Sequence, residues 1–252
     1  MGTYLLKIYL VATKDAFQRL QGTWSVLLGM LALACGFVAV TLIGSQLGII
    51  GGFIASLYQA IAITYYLGWL RESSQFRNVR IKELKNLDWS LFQSVISILF
   101  IMYLVQWGVA MLSTGMNGSW ASVILQLLFV VLLNSLPETL YLTRRDGMDG
   151  IQESFSFTTK NWIEWYLPYL IIVSPLLLLG AASLPELLAQ TNVFFPAMAV
   201  ITVPVLLFPG LKLVMLPLGL ILAHWFMLFR AKLYQELDTG SRRQRMFKSR
   251  MG

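Results

Sequence analysis

The chain has 252 residues, of which 57% are hydrophobic and 12% charged, about half the charged share of an ordinary soluble domain. Its charges are clumped, leaving uncharged stretches of 51 residues from Leu20 to Leu70 and 49 residues from Trp89 to Pro137; each suffices for two membrane crossings of about 20 residues. A soluble globular domain is excluded, and an all-α polytopic integral membrane protein is the expected fold class.

Residues 3–21 repeat apolar positions at helical spacing with Lys7, Lys14 and Gln18 on one face, the pattern of an interfacial helix. Spans over 24–43 and 47–70 follow, the second closed by Trp69 and Arg71, an indole and a cation suited to a membrane interface. The next loop interleaves Arg77, Arg80, Lys82 and Lys85 with Val79, Ile81, Leu84 and Leu87, so it reads as a basic amphipathic segment on the bilayer surface. Third and fourth spans cover 89–112 and 120–142. Asp149 and Gln152 have capping-box spacing, and Ile151, Phe155, Thr158 and Trp162 then share one face, which predicts a second interfacial helix. A fifth span covers 162–184, a sixth covers 211–233, and residues 239–252 form a basic tail.

Residues 192–210 decide the topology. They are apolar but contain Pro196, Pro204 and Pro209. If they cross, the tail cations lie opposite the other basic loops; if they dip in and return, eighteen of the nineteen Lys and Arg share one side, with Lys212 the exception. The positive-inside rule selects the second arrangement: six spans in a bacterial inner membrane, both termini cytoplasmic, and 192–210 an outer re-entrant segment. Trp24, Trp69, Trp89, Trp120, Trp162, Trp165 and Trp225 all stand near predicted span ends, as an aromatic belt requires.

Three groups of residues are candidates for function. Gly44, Gly48, Gly52, Ser56, Ala60, Thr64 and Gly68 place a small residue at every fourth position of the second span, a ridge that lets helix backbones meet, within the chain or between copies in a homo-oligomer. Such a row drifts about 40° per step, so it passes more than one neighbour. Arg77, Arg80, Ile81, Lys82, Leu84 and Lys85 offer charge and apolar anchoring to a cytoplasmic partner. Asn134, Glu138 and His224 are polar groups inside spans. Glu138 can pair with Arg144, Arg145 or Lys160 or serve a proton relay, and its closeness to those cations favours pairing. The lone His224 is expected to hydrogen-bond to a neighbouring helix, and with Cys35 the single cysteine no metal or cofactor site is expected. No nucleophile elbow, phosphate loop or zinc-protease motif occurs in the sequence, so no enzyme chemistry is expected. The basic tail suits anionic lipid and lacks the aromatic or folded context of nucleic-acid binding.

Pro137-Glu138-Thr139-Leu140-Tyr141, Gln152-Glu153-Ser154-Phe155-Ser156-Phe157, Asn161-Trp162 and Glu164-Trp165 together resemble a recurring pattern in small bacterial six-helix membrane proteins. These are the YciC-like proteins and the related membrane domain of glycerophosphodiester phosphodiesterases. Phosphodiesterase chemistry there resides in a separate soluble domain, so the resemblance implies an anchor or membrane subunit and not a hydrolase. In layout alone the chain is similar to the membrane subunit of an ABC-2-type exporter. That likeness implies a partner ATPase touching residues 71–88 and a gate in 192–210. The rival expectations are a structural subunit that transports nothing and, more distantly, a lipid-modifying membrane enzyme.

Overall fold

The computed structural model describes residues 2–76, 79, 86–113, 119–145, 147–181 and 193–239. Arg77, Arg80, Ile81, Lys82, Leu84 and Lys85, the predicted partner contact, lie outside the described residues, as does the tail from residue 240. The helices are α1 (Gly2–Leu20), α2 (Trp24–Gly44), α3 (Ile49–Gln75), α4 (Trp89–Ser113), α5 (Ser119–Leu132), α6 (Leu136–Thr143), α7 (Gly147–Lys160), α8 (Trp162–Leu178), α9 (Met198–Leu207) and α10 (Lys212–Asp238). A single 3-10 turn, Pro209–Leu211, precedes α10. Among the described residues, four helical segments, Trp24–Gly44, Ile49–Gln75, Trp89–Gly108 and Val214–Asp238, are long and apolar enough to cross a membrane.

α10 is the hub, packing against α9, α1, α3 and α6. Its C-terminal half carries the large buried side chains Phe226, Met227, Leu228 and Tyr234, which place it in the bundle interior. α1 packs on α10. Ala12 and Ala16 are fully buried there, small enough to let the helices close, with Tyr9 against Phe229 and Phe17 against Trp225. The exposed side of α1 presents Leu6 and Leu10 beside Lys7, Lys14 and Gln18, an apolar stripe flanked by cations suited to a membrane surface. By contrast α2 and the first turns of α3 form a projecting hairpin, with Leu28, Val38, Leu42, Ile49 and Phe53 exposed.

The predicted fourth span is divided. Pro137 has no N–H to donate to Leu133, and its ring crowds that carbonyl, so one continuous helix over 120–142 is unavailable. The chain turns at Leu133–Ser135 and restarts as α6 with proline in its first turn. α7 also differs from its predicted face: it buries Gly150, Ser154, Phe157 and Thr158 while Phe155 is exposed. Gly150 and Ser154 are small, and they let α7 close on α6, where Ser135 Oγ meets Ser154 Oγ at 3.0 Å and Thr158 Oγ1 at 3.0 Å.

The small-residue row is not one ridge. Gly44 ends α2 and Gly48 lies in the turn before α3 at φ +57°, a backbone conformation that glycine adopts without strain. Ala60 and Thr64 are buried, Ser56 is exposed, and added methyl groups at Gly52 or Gly68 would meet nothing within 4 Å. The close approach is at Gly51, where a Cβ would stand 1.8 Å from the Gly44 carbonyl oxygen. The four-residue spacing fails here because the row crosses a helix boundary, and contact follows the α2–α3 hairpin instead. Gly51→Val should therefore lower the melting temperature in detergent markedly, whereas Gly52→Ala should leave it within about 0.5 kcal/mol of wild type; equal melting of the two variants would contradict this packing.

Candidate functional site

The break at Leu133–Ser135 creates backbone groups that a membrane interior cannot hydrate. Leu133 N–H still reaches the Phe129 carbonyl at 2.9 Å and Leu136 N–H reaches the Leu133 carbonyl at 3.0 Å. The Tyr166 hydroxyl of α8 donates to the Val131 carbonyl. The Asn134 carbonyl accepts from Arg230 Nη2 of α10 at 2.6 Å.

Arg230 then does more than cap the break. Its Nε donates to Glu138 Oε1 at 2.8 Å and its Nη2 to Oε2 at 2.9 Å, a bidentate fork that matches the carboxylate geometry. Its Nη1 donates to Asn134 Oδ1 at 2.7 Å. The same Oδ1 accepts the Trp165 indole N–H at 3.0 Å, and the guanidinium lies over the Trp165 ring at 4.4 Å from its centroid, a cation–π contact. Glu138 is fully buried and Arg230 is 2% exposed. Around them Phe157 stacks on Tyr234 at 4.2 Å and meets Trp165 edge-on at 5.1 Å. The site unites α6, α7, α8 and α10.

The partner of Glu138 is therefore Arg230, not Arg144, Arg145 or Lys160. Arg144 and Arg145 sit beyond the end of α6, with Arg144 in the left-handed region at φ 56°, and Arg145 approaches Glu153 at 4.0 Å. The signal that marks Arg230 in the sequence is its position among Phe226, Met227, Leu228, Phe229 and Ala231, a cation embedded in apolar residues that requires a buried anion. His224, two turns earlier, places Nε2 3.1 Å from Thr23 Oγ1 at the start of α2. Among the described residues no group of three His, Cys, Asp or Glu side chains converges as a metal site would require.

A second polar cluster closes the α3–α4 connection. Arg71 Nη1 donates to Asp88 Oδ2 at 2.7 Å, while Asp88 Oδ1 accepts from the Ser90 N–H at 3.1 Å, Ser90 Oγ at 2.8 Å and the Leu91 N–H at 3.3 Å. Asp88 thus caps α4 and neutralises Arg71 at once. Burial pushes its carboxyl up, but the hydrogen bonds from Ser90, Arg71 and Leu91 and the Arg71 charge prevail and hold it at about 2. Between the clamped ends, Val79 N–H bonds to the Gly22 carbonyl at 3.3 Å and the Val79 carbonyl accepts from Ser25 Oγ at 2.6 Å. Arg19 bridges Asp15 at 2.6 Å and the Ser73 carbonyl at 3.0 Å. The connection is thereby tied to α1, α2, α3 and α4.

Two outcomes are expected. Glu138→Leu or Arg230→Met alone should destabilise the protein by about 3–5 kcal/mol because each leaves a buried charge uncompensated. The double variant should recover most of that loss, leaving only the unpaired Asn134 groups; additive losses in thermal melts would show that the pair is not coupled. For Asp88, whose ordinary value is 3.8, the depressed native value means that the clamp stabilises fully above that pH and loses its contribution as pH falls through about 2. The melting-temperature gap between wild type and Asp88→Asn should shrink as pH drops below about 4, and a constant gap would remove the clamp as a source of stability.

No family model matches the chain, and no curated protein and no solved structure matches it either.

Proposed function

We propose that the protein is a non-enzymatic multi-pass subunit of an inner-membrane complex, most concretely the permease subunit of an ABC-2-type exporter. Six crossings are read as α2, α3, α4, the pair α5–α6 broken at Leu133–Ser135, α8, which stops at Leu178 short of the expected 184 where Gly180 at φ 64° turns the chain, and α10. α9 has 10 residues and contains Pro204; at about 15 Å it covers half of a hydrocarbon core of about 30 Å. It is read as part of the outer re-entrant segment 192–210, which leaves both termini cytoplasmic.

The observation that supports the exporter form is the clamped α3–α4 connection. A permease must convert movement of a soluble ATPase into movement of its spans, and a loop held by Arg71–Asp88 and pinned at Val79 to the α1–α2 turn can pass a push to four helices together. The structural-subunit reading draws on a different observation: the Arg230 fork locks α6 and α10 together, which suits a rigid scaffold. The resemblance to YciC-like and phosphodiesterase membrane domains accords with either.

Full-length protein purified from its native membrane in mild detergent should bring down a soluble ATPase. Arg71→Gln should leave that ATPase bound while reducing transport-coupled hydrolysis about fivefold or more, the lower end for a coupling free energy between sites. Undiminished hydrolysis would remove the coupling role of the loop, and the absence of any ATPase with wild type would replace the exporter with the structural reading. With Cys35 replaced by serine, Ser249→Cys should react with an impermeant thiol reagent in inverted vesicles alone; reaction in intact cells would restore a seventh crossing.

A further inference from the structure

α3 and α4 are antiparallel neighbours, and between them lies a cavity of about 730 Å³, well inside the range of about 300–1,000 Å³ typical of ligand sites. Phe129, Val130, Val193 and Phe194 close its back wall, and no charged side chain lines it. Four of its lining residues are polar: Ser56 and Gln59 on α3, Tyr103 and Gln106 on α4. Ser56 and Gln59 stand seven and ten residues after Ile49, and Gln106 and Tyr103 seven and ten residues before Ser113. On helices rising 1.5 Å per residue the two pairs share one level, about 10–15 Å from the adjacent helix ends.

That level is a ledge of hydrogen-bonding groups on otherwise apolar helices, with Gln59 half-buried and Ser56, Tyr103 and Gln106 exposed. Ser56 Oγ donates to the Gly52 carbonyl of its own helix at 2.9 Å. The side chains of Gln59, Tyr103 and Gln106 have no hydrogen-bond partner among the described residues. Amides and phenols left unpaired in hydrocarbon are unfavourable, so something that enters from the bilayer has to meet them. Ile96, Leu99, Phe100 and Phe129 add a purely apolar stretch to the lining, with Ile96 and Phe100 exposed at its mouth.

We propose that this cavity is a binding site for a bilayer glycerolipid, with an acyl chain lying along Ile96, Leu99 and Phe100 and the glycerol ester and hydroxyl oxygens hydrogen-bonded by Gln59, Tyr103 and Gln106. The uncharged lining fits this part of a lipid and places any charged headgroup outward of the ledge. A concave wall suits a thin flexible chain better than a helix, which with its side chains is about 10–12 Å across. The polar groups of the site come from α3 and α4, and it does not require the exporter reading.

The probe is a phosphatidylethanolamine carrying a photoactivatable diazirine on its acyl chain, presented to the full-length protein in nanodiscs. Labelling should concentrate in the cavity-lining peptides of α3 and α4. Ala60, 3% exposed and part of the lining, becomes a plug in Ala60→Trp, which should cut labelling there about tenfold, equivalent to about 1.4 kcal/mol of binding. The pair Gln59→Leu and Gln106→Leu removes the ledge without adding bulk; it should keep or raise the melting temperature while labelling falls several-fold, and so remains informative if Ala60→Trp does not fold. Labelling spread evenly over the exposed face of α2, or unchanged in both variants, overturns the lipid site. A detergent-solubilised dimer whose copies cross-link through Gln59 and Gln106 overturns it in favour of a second copy of the chain. Neither result bears on whether an ATPase copurifies.

Discussion

A guanidinium buried beside a broken helix is the constraint on which the packing of α6, α7, α8 and α10 depends. Pro137 interrupts the α5–α6 path, and the interruption exposes the Asn134 carbonyl where water is scarce. Arg230 meets that carbonyl, but a buried cation needs a buried anion, and Glu138 supplies one from the first turn of the restarted helix. An acidic group in the first turn of a helix is also favoured by the helix dipole. The break, the cation and the anion therefore explain one another. Removing any one leaves a cost that the other two were arranged to offset.

The same logic of shared partners runs through the neighbouring contacts. Asn134 Oδ1 serves both Arg230 and Trp165, so the indole that would otherwise bury an unpaired N–H instead fixes the angle of α8. Ser135, Ser154 and Thr158 meet at 3.0 Å, which seats the polar helix α7 against the break without leaving hydroxyls stranded. Phe157 and Tyr234 stack on each other and both meet Trp165 edge-on, the ring that lies against the Arg230 guanidinium. A network satisfied in this way defines a single arrangement of four helices, whereas the α2–α3 hairpin is held by apolar contacts, the Gly44–Gly51 approach and one hydrogen bond from the Tyr58 hydroxyl to the Leu33 carbonyl at 3.0 Å.

The molecule thus divides into a region specified by paired polar groups around Arg230 and a region of apolar helices with a cavity between α3 and α4. The connection at Arg71–Asp88 joins the two, since α3 and α4 both begin or end there and both line the cavity. A displacement of that connection would alter the cavity walls directly, without any need for a longer path through the bundle.

Composition alone determined that the chain is helical and rich in membrane-length apolar segments, because an uncharged stretch of 51 residues has few other stable forms. The position of helix ends was legible where tryptophan or proline marks them, as at Trp24, Trp89 and Trp162. Pairings were not. Glu138 is closer in sequence to Arg144 and Arg145 than to Arg230, 92 positions away, yet the left-handed end of α6 turns the nearer cations aside and the fold of α10 brings the distant one in. The small-residue row likewise reads as one ridge on a linear helix, and only the tertiary hairpin moves the contact to Gly51. Hydrophobic periodicity is a local property and survives in the one-dimensional chain; which buried charges meet is settled by helix packing, since desolvation makes an ion pair depend on atoms being within hydrogen-bond reach and not on how far apart they lie in sequence.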